Sequence, residues 1–154
     1  MSKNATVWQT MAAHEAMMDS LKAQGVIRSS NAPLGDLAEW LCCDTFGWIR
    51  QSNSHLGFDG LSKDGTRYEV KARRNHTKLS AIRDIDKKLF DYVCAVRFDK
   101  YYKVTMAALI PHAIIKARGR HYARNNQINF NFTRGVLAEA GVVDVTRKLQ
   151  EAQL

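Results

Sequence analysis

Residues 57–73 read GFDGLSKDGTRYEVKAR, and the pairing of this stretch decides the fold around it. Two strand-like runs, 55–61 and 66–72, flank Lys63-Asp64-Gly65, a composition that tight hairpin loops favour. On the second run Glu69 and Lys71 are two residues apart and share one face of a strand, while Tyr68 and Val70 point into the core. Parity then decides whether Asp59 joins them. A two-residue turn at Asp64-Gly65 pairs Asp59 with Val70, on the wrong face. A three-residue loop with Gly65 in the left-handed position pairs Asp59 with Glu69, their Cβ atoms roughly 5 Å apart. The expectation is that loop, or a bulge with the same parity. Carboxylates and an ammonium gathered this way suit phosphodiester chemistry: the carboxylates hold Mg²⁺, and the lysine stabilises charge or orients the attacking water. The plainer reading of Glu-x-Lys on a strand is an exposed ion pair.

Upstream, residues 34–46 carry Leu34, Leu37, Ala38, Leu41 and Thr45 on one stripe. They predict a helix with Pro33 in its first turn, Ser30 or Asn31 as cap, and Gly47 as stop. Glu39 lies one turn after Gly35, off that stripe. A glycine there lets the helix edge approach the sheet, so Glu39 either tunes the acidic site or is a solvated helix charge.

Further out, residues 5–24 read as a helix closed by Gly25, and Trp48-Ile49-Arg50 as a short strand. Leu79, Ile82, Ile85 and Leu89 recur at helical intervals and predict a helix over 78–88. Residues 91–98 and 102–110 predict strands, 111–118 a helix, 125–131 a loop or edge strand, and 144–152 a last helix. Such an order implies an α/β domain with one central mixed sheet, covered by the 34–46 helix on one face and the 78–88 helix on the other. All 154 residues fit a single domain, with 1–25 as an N-terminal helical extension. Trp8, Trp40, Trp48, Phe46, Phe90 and Phe98 are expected in the core, and the tryptophan-rich N-terminal layer also suits a homodimer.

The formal net charge is +8, and it is unevenly spread. Residues 1–77 hold nine Lys/Arg against eight Asp/Glu, and residues 78–154 hold fourteen against seven. A basic half suits a polyanion. Arg73, Arg74, His76 and Lys78 follow the acidic motif, and Lys116, Arg118, Arg120, His121 and Arg124 surround Tyr122. The expectation is that both groups grip phosphates, with Tyr122 stacking on a base. Solvated loops and helix-end charges are the alternative. Ser54 and His55 are placed to touch substrate or water, or simply to build the loop. No apolar run reaches membrane-spanning length, and the N-terminus interrupts any signal-like stretch with His14, Glu15 and Asp19. Cys42, Cys43 and Cys94 have no zinc-type spacing and lie in apolar segments, as reduced thiols do. A cytoplasmic location is expected, with no membrane partner.

Asp-x₉-Glu-Val-Lys behind a Gly-Asp-Leu-Ala-Glu helix resembles the PD-(D/E)XK, or restriction-endonuclease-like, nuclease superfamily. The resemblance falls on Asp59, Glu69 and Lys71, with the first-helix glutamate at Glu39; Phe58 stands where the superfamily name has Pro. From Ile27-Arg28-Ser29 to Phe90-Asp91 the chain is also similar to a set of small uncharacterised bacterial proteins, some with Gln at the metal-site glutamate. The resemblance implies a restriction-endonuclease-like core and Mg²⁺-dependent (or Mn²⁺-dependent) phosphodiester cleavage, on DNA rather than RNA. It further implies a metal held by Asp59, Glu69 and the Val70 carbonyl. A non-catalytic nucleic-acid-binding or regulatory module that retains the fold is the alternative.

Overall fold

A computed structural model describes residues 3–53 and 55–154, with the side chains of residues 3–5 left aside; Ser54 lies outside the described residues. Helix α1 (Lys3–Ala23) ends where Gly25 turns left-handed, and helix α2 (Leu34–Phe46) ends at Gly47 with φ 69°. No side chain caps α2. Pro33 precedes it, and the Asp36 carboxylate in its first turn instead accepts the N–H groups of Arg28 (2.8 Å) and Ser29 (3.0 Å).

Six strands form the main sheet, in the order β1 (Ile49–Arg50), β2 (Gly60–Leu61), β3 (Arg67–Arg74), β5 (Tyr92–Phe98), β6 (Val104–Pro111) and β9 (Val143–Asp144). Strands β3 and β5 are parallel and every other pair in this sheet is antiparallel, so the chain is α/β with a mixed central sheet. On one face α2 and α4 (Thr146–Glu151) bury Ala38, Leu41 and Leu149 against Val70, Cys94 and Val96. Alternation along β5 sends Val93 and Ala95 to the opposite face.

That opposite face is covered differently from expectation. Residues 78–88 are not a helix: Lys78–Arg83 is strand β4, followed by a 3-10 turn at Ile85–Lys87. Strand β4 joins β7 (Arg120–Tyr122) and β8 (Gln127–Asn131) in a second, three-stranded sheet ordered β4-β8-β7. The 125–131 stretch is therefore neither loop nor edge but contains that sheet's central strand. A register break between Leu79 and Ile82, with Ala81 at φ 59°, explains the helical look. Strict alternation turns Leu79 inward and Ile82 outward; the bulge resets the phase, and both are buried. Apolar residues three apart thus mimic a helix period. Helix α3 (His112–Arg118) adds Ile115 to this second core, beside Ile128 and Phe130 of β8.

Two packing expectations fail. Trp8 is 72% exposed on α1 rather than in the core. Gly35 gives no close approach, because a Cβ there would meet nothing within 4 Å. All three cysteines are free and buried, with Cys42 Sγ and Cys94 Sγ 3.4 Å apart. Among the described residues no helix is long and apolar enough to cross a membrane.

Candidate functional site

The 60–68 hairpin sets the site. Gly60 pairs with Tyr68 and Leu61 with Arg67, and the Ser62 N–H reaches the Thr66 carbonyl at 3.0 Å. Residues 63–65 thus form a three-residue loop with Gly65 at φ 85°. Asp64 accepts the Thr66 N–H and the Ser62 hydroxyl, and these bonds hold its carboxyl down to about 2. Strand β2 is shorter than the 55–61 run suggested, and Asp59 lies just beyond its end. Its N–H donates to the Tyr68 carbonyl (2.8 Å), and its Oδ2 accepts the Val70 N–H (2.7 Å). Asp59 therefore brackets Glu69 from both sides.

Glu69 Oε1 lies 2.7 Å from Lys71 Nζ, and Asp59, Glu69 and Lys71 line one cleft of about 560 Å³. Burial, reinforced by the charges of Glu69 and then Glu39, raises the Asp59 carboxyl to about 7. Glu39 is held at 3.6 Å by Arg50 and at 3.9 Å by Arg28. Its own carboxyl is raised, chiefly by burial, with the two guanidinium groups opposing. Arg50 is fixed by the Asp36 carbonyl (2.8 Å) and Arg28 by the Gln51 carbonyl (2.7 Å). Glu39 is thus clamped at the margin of the acids, not free in solvent.

The donor set suits a hard cation. It is oxygen only, and Mg²⁺ keeps several waters while taking one or two carboxylates. Strand geometry aims the Val70 carbonyl to the same side as its N–H, toward Asp59. Among the described residues no three His, Cys, Asp or Glu side chains converge tightly enough to hold a metal unaided. Two carboxylates, one carbonyl and water are what the arrangement offers.

Sequence reading missed the opposite wall. Arg83, Asp84 and Lys87 line the same cleft, with Lys87 Nζ 3.5 Å from Asp84 Oδ1. A helix over 78–88, expected from Leu79, Ile82, Ile85 and Leu89, assigned no role to these residues. Asp84 and Lys88 are left-handed at φ 51° and 46°, as is Ala81, so the wall is backbone-strained. Gly57, at φ 109°, lets the preceding loop lie on Leu89, where a Cβ would come within 2.7 Å. His55 reaches the cleft and packs edge-on to Phe58 at 4.5 Å.

The basic residues divide. Arg73, on the Glu69–Lys71 face of β3, donates to the Lys78 carbonyl (2.7 Å) and to the Ser80 hydroxyl. Arg73, Arg74, His76 and Lys78 line a cleft of about 530 Å³, where Arg74 lies 4.8 Å over the Tyr102 ring. Lys78 also borders a second cleft with Arg118 and Arg120, so five of the seven lysines and arginines in the two groups sit in adjoining hollows. Lys116 does not join them; it is paired with Asp86 at 2.9 Å beside a different hollow. Arg124 is exposed on the turn after β7 and lines neither cleft.

No protein-family model matches the chain, and no curated protein matches it significantly.

Proposed function

We propose that the chain is a cytoplasmic Mg²⁺- or Mn²⁺-dependent nuclease with a restriction-endonuclease-like core, acting on DNA. One observation carries this reading: Asp59, half-buried and anchored to the Val70 N–H, shares a cleft with the Glu69–Lys71 pair. The mixed sheet, with α2 against the strand that bears Glu69 and Lys71, agrees with it.

Asp59, Glu69 and the Val70 carbonyl would hold the metal, which when bound would polarise a phosphoryl oxygen and acidify a water. Lys71, beside those carboxylates, offers a positive charge where charge builds on the phosphoryl group. Glu39 acts at one remove, its charge felt at Asp59 and its place fixed by Arg28 and Arg50. Arg73, Arg74 and Lys78 hold flanking phosphates, with Arg118 and Arg120 beyond them; Lys116 and Arg124 contribute through the general field alone. A specific observation favours a second reading, the non-catalytic binding module. Glu69 and Glu39 each already have cationic partners, so part of the site's charge is balanced without a metal.

Cleavage of single- and double-stranded DNA and RNA, in Mg²⁺, Mn²⁺ or EDTA, separates the two. For the nuclease, Lys71→Ala and Asp59→Ala each lower metal-dependent cutting by about a hundredfold or more with unchanged folding. Absence of cutting alongside salt-sensitive binding leaves the binding module. Absence of both removes the nucleic-acid reading.

A further inference from the structure

We propose that the outer face of the β4-β8-β7 sheet is a base-binding subsite, and that the chain's substrate is therefore single-stranded nucleic acid. This rests on the nucleic-acid reading above for the identity of the polymer, but on different residues for its form.

Ladder register brings the side chains together. Arg120 lies opposite Asn129, Tyr122 opposite Gln127, and Lys78 opposite Asn131. The alternate residues Ile128 and Phe130 are buried beneath them, so one face of β8 belongs to the core and the other is polar. That polar face borders a hollow of about 380 Å³, lined by Lys78, Arg118, Arg120, Tyr122 and Asn129 together with the apolar Phe130 and Val136.

Three features of the hollow match one nucleotide. Tyr122 offers a flat ring, already flanked by the Arg120 guanidinium 5.3 Å from its centroid, and bases stack on such aromatic and guanidinium surfaces whatever their sequence. Asn129 Oδ1 is shielded from solvent and has no hydrogen-bond partner, an uncommon state for a polar atom. A base amino or imino donor would satisfy it. Lys78 and Arg120 have no carboxylate in ion-pair reach among the described residues, whereas Arg118 is tied to Glu139. Two cations are thus left for phosphate. Stacking face, edge acceptor and phosphate grip can all be used by a splayed-out base, whereas a paired base in a duplex hides both its ring faces and its pairing edge.

The hollow also lies on the path to the acids. Lys78 borders it and the Arg73–Arg74 cleft, while Ala81 and Arg83, further along the same strand, line the acidic cleft. Three strand residues span roughly 10 Å, so one short strand can engage both places.

Fluorescence anisotropy in EDTA tests this with a short oligo(dT) against a blunt duplex of the same length. The single strand is expected to bind about tenfold tighter or more, and Tyr122→Ala to weaken it by about 5- to 150-fold. Tyr122→Phe, which keeps the ring, should retain wild-type affinity and control for folding. Asn129→Ala should flatten the preference among the four homopolymers, and Lys78→Ala should lower the salt slope by about 0.7. Tighter duplex binding, or a Tyr122→Ala affinity within about twofold of wild type, overturns the subsite. The two readings fail separately. Loss of binding in Tyr122→Ala by a protein that cuts nothing keeps the subsite and removes the nuclease. Lys71-dependent cutting with Tyr122→Ala unchanged does the reverse.

Discussion

Strands β3 and β4 follow one another in the chain and line the same cleft, yet they are held in different ways. Strand β3 is paired on both sides, with seven consecutive register pairs to β5 and the hairpin to β2, and it carries Glu69 and Lys71. Strand β4 pairs only with β8, through a broken register; Ala81 within it is left-handed, and it leads into a stretch where Asp84 and Lys88 are left-handed too. Glu69 and Lys71 thus stand on a doubly paired strand, and Arg83, Asp84 and Lys87 on a part that stores strain. Groups that must be positioned to fractions of an ångström gain most from a doubly paired strand; a wall that meets a variable substrate does not need it.

The sharpest way to break the second sheet without touching the first is at Gly119, between α3 and β7. A Cβ there would sit 2.0 Å from Ile128 Cγ2 and 2.7 Å from the Ile115 carbonyl. Gly119→Ala is expected to cost about 3 kcal/mol or more, read as a lowered midpoint in urea. The matching change in the main sheet, Gly60→Ala, meets Trp48 at 3.0 Å and Cys43 Sγ at 3.2 Å, side chains that can shift. It should cost about 1 kcal/mol. Equal losses would mean that the two sheets are no more independent than any two parts of one core.

Next in size is the charge on Asp59. Its carboxyl is raised to about 7 in the fold, so the unfolded chain gives up this proton first as pH rises. Without metal, the native state binds more protons than the unfolded state between about pH 4 and pH 7, and stability falls across that window. Asp59→Asn keeps an oxygen for the Val70 N–H and removes the charge. It should therefore stabilise the metal-free protein at pH 8 by on the order of 2 kcal/mol and leave it little changed at pH 4. Mg²⁺ should raise the melting temperature of the wild type at pH 8, less at pH 5 where protons compete, and not at all in Asp59→Asn. A melting curve indifferent to both pH and Mg²⁺ would remove Asp59 from the acidic site.

A smaller effect belongs to the main sheet. Asp91 accepts the Arg67 backbone N–H at 2.9 Å and its guanidinium at 3.0 and 3.1 Å, which lowers the Asp91 carboxyl. A carboxyl lowered by folding stabilises above its unfolded value, and that contribution is lost as pH falls through the lowered folded value. The pair is about one-third exposed, so screening limits it. Asp91→Asn should cost roughly 0.5–1 kcal/mol at pH 7 and nothing at pH 2.

What the sequence made legible follows the same division. The hairpin loop, the gathering of Asp59, Glu69 and Lys71, the end of α2 at Gly47 and the β5–β6 pair were all readable, because each rests on local rules of parity, turn residues and alternation. The second sheet was not, because its strands come from residues 78–83, 120–122 and 127–131 and no local pattern declares that they meet. Gly35 carried no close approach, and Trp8 is exposed. Lys116 was placed among the phosphate-binding residues by spacing alone, whereas Asp86, thirty residues away, holds it.

The smallest prediction decides the point on which sequence and structure parted. If residues 78–88 were helical, glycine at position 81 would cost about 1 kcal/mol, as it does in any helix interior. In the bulge, Ala81 sits at φ 59°, a conformation that costs an L-residue roughly 1–2 kcal/mol and glycine almost nothing. Part of that relief is offset by the extra freedom glycine gives the unfolded chain, about 0.5–1 kcal/mol. Ala81→Gly should therefore stabilise the protein by about 0.5 kcal/mol, measurable as a raised urea midpoint with an unchanged slope. The sign matters more than the size: destabilisation by about 1 kcal/mol would restore the helix, and with it a cleft that lacks Arg83, Asp84 and Lys87 on its wall.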